Sequence, residues 1–178
     1  MQYNFSNAKA EMKKVEEFLS KEYTQLNTGR ASPMVLDGIA VEVYGAFQPI
    51  KNVASVSIED PKTLRVSPWD KSQVKAIEKA VMASNIGLSV ATDESGLRVI
   101  FPQLTTETRQ NLVKILKGKL EEARITVRKE REKVMDDINA LTEDEKFKGK
   151  EDLQKIVDET NRNLEAIFEK KETEVMGQ

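Results

Sequence analysis

The chain has 178 residues, 28 Lys and Arg against 30 Asp and Glu, a formal charge of −2, and 39% hydrophobic with 33% charged residues. It has no cysteine and no histidine, which excludes disulfides, thiolate chemistry and the commonest zinc ligand and general base. No apolar run approaches the roughly 18 residues of a membrane span, and the N-terminus has neither secretory nor transit character. These bounds lead us to expect a cytoplasmic protein that is not an enzyme, with no metal and no membrane, whose affinity for any polyanion must come from a local patch.

The first predicted element is a helix over 4–28, with Ser6 as N-cap and apolar residues at Met12, Val15, Leu19, Tyr23 and Leu26. Gly29 can close it in the left-handed conformation, and Pro33 keeps it from resuming. Between Ala31 and Pro102 the character changes. All five prolines fall there, and short β-type runs appear at 39–44, 53–58, 63–66, 88–90 and 97–101, with turns at Asp60-Pro61 and Asp93-Glu94-Ser95-Gly96. A single helix intervenes over about 71–85, with Val74, Ile77, Val81 and Met82 expected to face inward. The lone Trp69 just before it is expected to pack.

From Leu104 to Leu141 the chain has no proline and one glycine, Gly118. Leu112, Leu116, Leu120, Ala123, Val127, Val134, Ile138 and Leu141 recur at threes and fours, which predicts one long amphipathic helix capped by Thr105. Two readings of the following break stand side by side. Either Thr142-Glu143-Asp144-Glu145 is a capping box that starts a new helix at once, or the long helix runs to about Phe147 and Gly149 makes the turn. A last helix carries Leu153, Val157, Thr160, Leu164, Ile167, Lys171 and Val175 as one stripe, with Phe168 beside it. Three helices this polar outside their stripes can bury them only against one another. The fold class is therefore α+β: a discontinuous three-helix bundle (1–30 and 105–178) with a small β-sheet-plus-helix domain (31–104) inserted in it. The two connections suggest a hinge, at Thr28, Gly29, Arg30, Ala31, Ser32 and Pro33 on one side and Pro102, Gln103, Leu104 and Thr105 on the other.

No spacing marks a phosphate loop, a dinucleotide fingerprint or a calcium loop, and adjacent carboxylates such as Asp136-Asp137 do not face each other on a helix. The long helix offers more. At 100° per residue, Arg109, Lys117, Arg124, Arg128 and Arg131 fall within an arc of roughly 100°. A solvated face with local partners, Glu121 for Arg124 and Glu132 for Arg128, is the plainer account. The choice of arginine over lysine at 109, 124, 128 and 131 favours phosphate contact, and the scarcity of aromatics favours folded RNA read by shape.

The motifs then become familiar. Thr28-Gly29-Arg30-Ala31-Ser32-Pro33, Leu36-Asp37-Gly38, Val43-Tyr44-Gly45, Asp60-Pro61-Lys62-Thr63-Leu64 and Ala76-Ile77-Glu78-Lys79-Ala80 stand in order. Ala83-Ser84-Asn85-Ile86-Gly87-Leu88, Pro102-Gln103-Leu104-Thr105 and the arginines of the long helix follow. Over essentially its whole length the chain resembles bacterial-type ribosome recycling factor. The resemblance implies an L-shaped monomer of roughly transfer-RNA outline that binds the large subunit of the 70S ribosome after termination. With elongation factor G, which uses the GTP, it would split the ribosome into subunits; the chain itself would need no cofactor. It further implies rRNA contact through Arg109, Arg128 and Arg131, with Arg30 at the tip beside the hinge; Lys117 and Arg124 join that face by their spacing. A helical protein-binding adaptor or chaperone is the alternative. Three departures from the family pattern stand out: Asn27 where many members are basic, Glu130 and Glu132 flanking a single Arg131, and a shorter turn before the last helix.

Overall fold

The computed structural model describes residues 3–177. The chain forms two compact units, one made of the chain up to Tyr23 and from Gln110 onward, the other of Thr24–Arg109.

The first unit is helical. It is built from α1 (Ser6–Thr24), most of α4 (Thr106–Asn139) and α5 (Glu143–Met176). Each helix buries the stripe its periodicity marks. Met12, Leu19 and Tyr23 of α1, Leu116, Leu120, Ala123, Val127, Val134 and Ile138 of α4, and Leu153, Ile156, Val157, Thr160, Leu164, Phe168 and Val175 of α5 are all buried. Fully burying one such aliphatic or aromatic side chain contributes about 1.5–3 kcal/mol, so this seam is the unit's main stabilisation. Polar bonds fix the pairing. The Tyr23 hydroxyl donates to the Leu116 carbonyl at 2.7 Å, and the Tyr3 hydroxyl to Asp137 Oδ2 at 2.8 Å, so α1 and α4 run antiparallel. Asn163 Nδ2 of α5 donates to Glu16 Oε1 of α1 at 3.0 Å.

The turn between the long helices resolves in favour of the immediate restart. Thr142 precedes α5 in extended conformation (ψ 158°), its carbonyl accepts from the Lys146 N–H at 2.8 Å, and its hydroxyl donates to Glu145 Oε2 at 2.8 Å. Gly149 makes no turn. It is buried inside α5, where a Cβ would lie 3.2 Å from Cγ2 of the buried Ile138, so the missing side chain lets α4 and α5 approach closely. At the other end of α4, Thr105 Oγ1 accepts from the Thr108 N–H at 3.1 Å, the predicted cap.

The second unit folds around one apolar cluster. A hairpin of β1 (Ala40–Val43) and β2 (Ala46–Pro49) leads through a short helix α2 (Ile50–Val53) into a four-stranded antiparallel sheet. That sheet holds β3 (Ala54–Asp60), β4 (Thr63–Pro68), β5 (Ser89–Asp93) and β6 (Gly96–Ile100), in the order β3-β4-β6-β5. Alternation on β4 and β6 puts Leu64, Val66, Leu97 and Val99 on one face, with Leu64 opposite Val99. The helix α3 (Val74–Ala83) covers that core with Ile77 and Val81. Gly96, at φ +150°, is obligatory: a Cβ there would run into the Val66 carbonyl oxygen.

Three expectations are corrected, and two elements stand where none was expected. β2 and α2 have no sequence signature: Ala46-Phe47-Gln48-Pro49 does not alternate, and a four-residue helix is too short to show a period. Met82 is 61% exposed, because it lies about 100° around α3 from Val81, away from the face on which Ile77 and Val81 are buried and Val74 packs against the core. Trp69 is 72% exposed; its backbone N–H donates to the Val53 carbonyl at 3.0 Å while the ring turns outward. Finally, α1 stops at Thr24 rather than at Thr28, because Asn27 Oδ1 takes the Gly29 N–H at 2.8 Å and holds residues 27–29 in a local turn that competes with helix.

Candidate nucleic-acid interface

The cationic residues of α4 differ sharply in their surroundings. Arg124 is half-buried and doubly engaged: it donates to Glu121 at 2.7 Å, one turn away on the same helix, and to Glu165 of α5. This cluster lies near the buried Tyr23, whose hydroxyl is pushed up to about 12, first by burial and then by the Glu165 carboxylate, with Arg124 opposing. Arg124 therefore holds α4 to α5, and its charge is largely compensated in place.

Lys117, Arg128 and Arg131 are different. Lys117 and Arg128 are exposed and Arg131 half-buried, and none makes an ion pair or hydrogen bond with any described residue. The expected Arg128–Glu132 pair does not form, whereas Glu130 is drawn to Lys133 at 2.6 Å instead of to Arg131. Glu130 thus leaves Arg131 uncompensated. The unpaired guanidinium groups of Arg128 and Arg131, one turn apart, can each present a planar fork of donors to an incoming phosphate, and the Lys117 ammonium adds a point charge about 20 Å along the helix from Arg131.

Arg30 and Arg109 belong to the other unit. Arg30 is exposed, directly after Gly29, which sits at φ +78°. Arg109 is half-buried in the first turn of α4, its N–H donating to the Thr105 carbonyl at 3.0 Å. The residues proposed as a hinge form one local arrangement in this unit. A Cβ on Gly29 would lie 3.3 Å from Leu104 Cγ and 3.4 Å from the Pro102 carbonyl oxygen, so the two connections run side by side. The Ala31 N–H donates to the Pro61 carbonyl at 2.9 Å, and Asn27 Nδ2 to the Ile86 carbonyl at 3.3 Å. Asn27 is buried at 8% exposure, so this position ties together the base of the unit and offers no surface to a phosphate. The sequence carries no local sign of that role, because Ile86 is 59 residues away.

Among the described residues no group of three or more carboxylates could hold a metal ion, and no helix is long and apolar enough to cross a membrane. The chemistry this surface supports is the binding of an anionic polymer.

Similarity to known proteins is spread along the whole chain. A family model described as ribosome recycling factor matches residues 19–176. The ribosome-recycling factor of Clostridium kluyveri is 41% identical over 97% of this chain and 96% of its own length. That of Leuconostoc mesenteroides is 37% identical over 99% of both. A solution structure of a ribosome recycling factor superposes with a TM-score of 0.77 at 34% identity, covering 98% of this chain and 96% of that one. The T. thermophilus ribosome recycling factor, described with E. coli elongation factor G bound to the E. coli post-termination complex, superposes at 0.64 with 36% identity, covering 97% of each chain. A match that spans both units, at this identity and in both sequence and fold, has one meaning: the chain belongs to the ribosome recycling factor family.

Proposed function

We propose that this chain binds the post-termination 70S ribosome and, together with elongation factor G and GTP, separates it into subunits, releasing messenger and transfer RNA. The observation that carries the reading is family similarity running unbroken through both units. In this reading the chain is a mechanical factor and not an enzyme, it works in the cytoplasm without a cofactor of its own, and the GTP is hydrolysed by its partner. Arg128 and Arg131, with Lys117, would meet large-subunit rRNA; Arg109 and Arg30 would add contacts from the other unit. Arg124 would act at one remove, by holding α4 in place. The paired connections at Thr28–Pro33 and Pro102–Thr105 would be where the chain bends.

The test is the breakdown of purified post-termination complexes, or polysomes, by the chain with elongation factor G and GTP, each omitted in turn. Subunits should appear only when all three are present. Splitting that persists without the chain would reject the assignment, and GTP turnover by the chain alone would reject the non-enzymatic part.

A further inference from the structure

The other side of α4 carries a second surface of opposite character. Between α1 and α4 runs a groove of about 430 Å³. Its apolar floor is Val15, Leu19 and Ala123, and Phe18 stands at its edge with 64% of its surface exposed. The lining repeats at three and four residues on both helices, from Glu11 to Glu22 and from Lys119 to Glu130, so the groove follows the helix axes for about 16 Å. Four carboxylates rim it, Glu11, Glu22, Glu122 and Glu130, against two ammonium groups. Both of these are already taken, Lys14 by Glu11 at 2.6 Å and Lys119 by Glu22 at 2.5 Å. Glu122 is exposed and its carboxylate bonds to no described residue.

This combination selects its occupant. Four carboxylates against two ammonium groups give the lining a net charge of −2, which repels a nucleic acid, and Glu122 is the one carboxylate of the four that no lysine compensates. A polypeptide with an apolar stripe and Lys or Arg beside it satisfies both the floor and the rim, the arrangement of an amphipathic helix laid in a groove. At 100° per residue Lys119, Glu122, Thr126 and Glu130 lie roughly opposite Lys117, Arg124, Arg128 and Arg131, so filling one face leaves the other open. We propose that the α1–α4 groove is a docking site for a basic amphipathic helical segment of a partner protein, anchored on Phe18 and steered by Glu122. The site does not depend on the RNA reading of the arginine face.

The probe is a fluorescein-labelled synthetic peptide of about 14 residues, long enough to span the groove as a helix, with leucines at three- and four-residue spacing and lysines and arginines elsewhere. Anisotropy against the full chain should saturate. Two companion peptides, one with its basic residues changed to glutamate and one with its leucines changed to serine, should each bind at least about tenfold more weakly. Phe18→Ala and Glu122→Lys alter exposed side chains and should each weaken binding about fivefold or more with circular dichroism unchanged. The pair Arg128→Glu and Arg131→Glu should leave it unaltered. The proposal is overturned if no saturable binding occurs, if the serine peptide binds as tightly as the leucine one, or if Phe18→Ala has no effect. Displacement of the peptide by an RNA hairpin, or concentration-dependent dimers that Phe18→Ala abolishes, would overturn it in favour of a nucleic acid or a second copy of the chain.

Discussion

Replacing Arg128 by glutamate should separate binding from folding. Arg128 is exposed and pairs with no described residue, so its loss strands no partner, and folding stability should move by no more than about 0.5 kcal/mol. A guanidinium bonded to phosphate contributes about 1.5–3 kcal/mol, which at about 1.4 kcal/mol per decade is an affinity loss of about 10- to 100-fold for large subunits. Each phosphate contact also adds about 0.7–0.9 to the slope of log affinity against log salt. Arg128→Glu should therefore flatten that slope by about one, and the double variant with Arg131→Glu by about two. Arg124→Glu is the contrast: it places a third carboxylate between Glu121 and Glu165, beside buried Tyr23, and should lower the unfolding temperature as well. The assay is binding of labelled protein to purified large subunits between about 50 and 200 mM salt, with thermal unfolding followed in parallel. If Arg128→Glu binds with unchanged affinity and slope, unpaired exposure is no guide to rRNA contact and the assignment of this face fails.

Other predictions follow from local geometry. Asn27→Lys would restore a basic residue common in the family, yet it removes the acceptor of the Gly29 N–H; denaturant unfolding should show the second unit weakened by about 1–3 kcal/mol, with no gain in RNA affinity. Gly149→Leu should destabilise the helical unit by about 1–3 kcal/mol despite better helix propensity, because Ile138 is fully buried and has nowhere to go; equal or higher thermal stability would contradict this. Arg65 donates to Asp93 Oδ1 at 2.8 Å and holds its carboxyl well below the usual range, with the Ser95 N–H and hydroxyl assisting. A depressed carboxyl contributes stability above its unfolded value of about 3.9 and loses it as pH falls further. Asp93→Asn should thus cost stability at neutral pH, and denaturation midpoints of variant and parent should converge in acid. A constant gap would refute the pairing.

What the sequence made legible was whatever lies in local periodicity. The stripes of α1, α4 and α5 are inward in the structure because residues three and four apart share a face whatever they pack against. Strand alternation is legible on β1, where residues two apart share a face and Val41 and Val43 are buried, whereas Ala54–Asp60 alternates in sequence and not in burial. Features decided at a distance were not. Arg124 and Arg128 look alike in sequence, and what tells them apart is Glu165, 41 residues beyond Arg124. Glu130 and Glu132 flank Arg131 in sequence, and only side-chain geometry shows Glu130 turned toward Lys133. Asn27 stands in sequence only as a departure from a basic position, because the Ile86 carbonyl it bonds lies beyond any local window.

Gly149 reaches further than packing. A helix has no intrinsic mark to say which residue along a smooth apolar stripe should sit opposite which residue of its neighbour. Here one missing side chain supplies it: Ile138 fits against Gly149, and a slip of one position would drive a Cβ into the seam. With that point pinned, Arg124 arrives opposite Glu165 and the rotation of α4 about its own axis is settled. A helix turned by a single residue, about 100°, would carry Arg128 into the protein or leave it facing α1. The smallest residue of α5 thus works as an index mark, and what it indexes is the direction in which the arginines of its neighbour point.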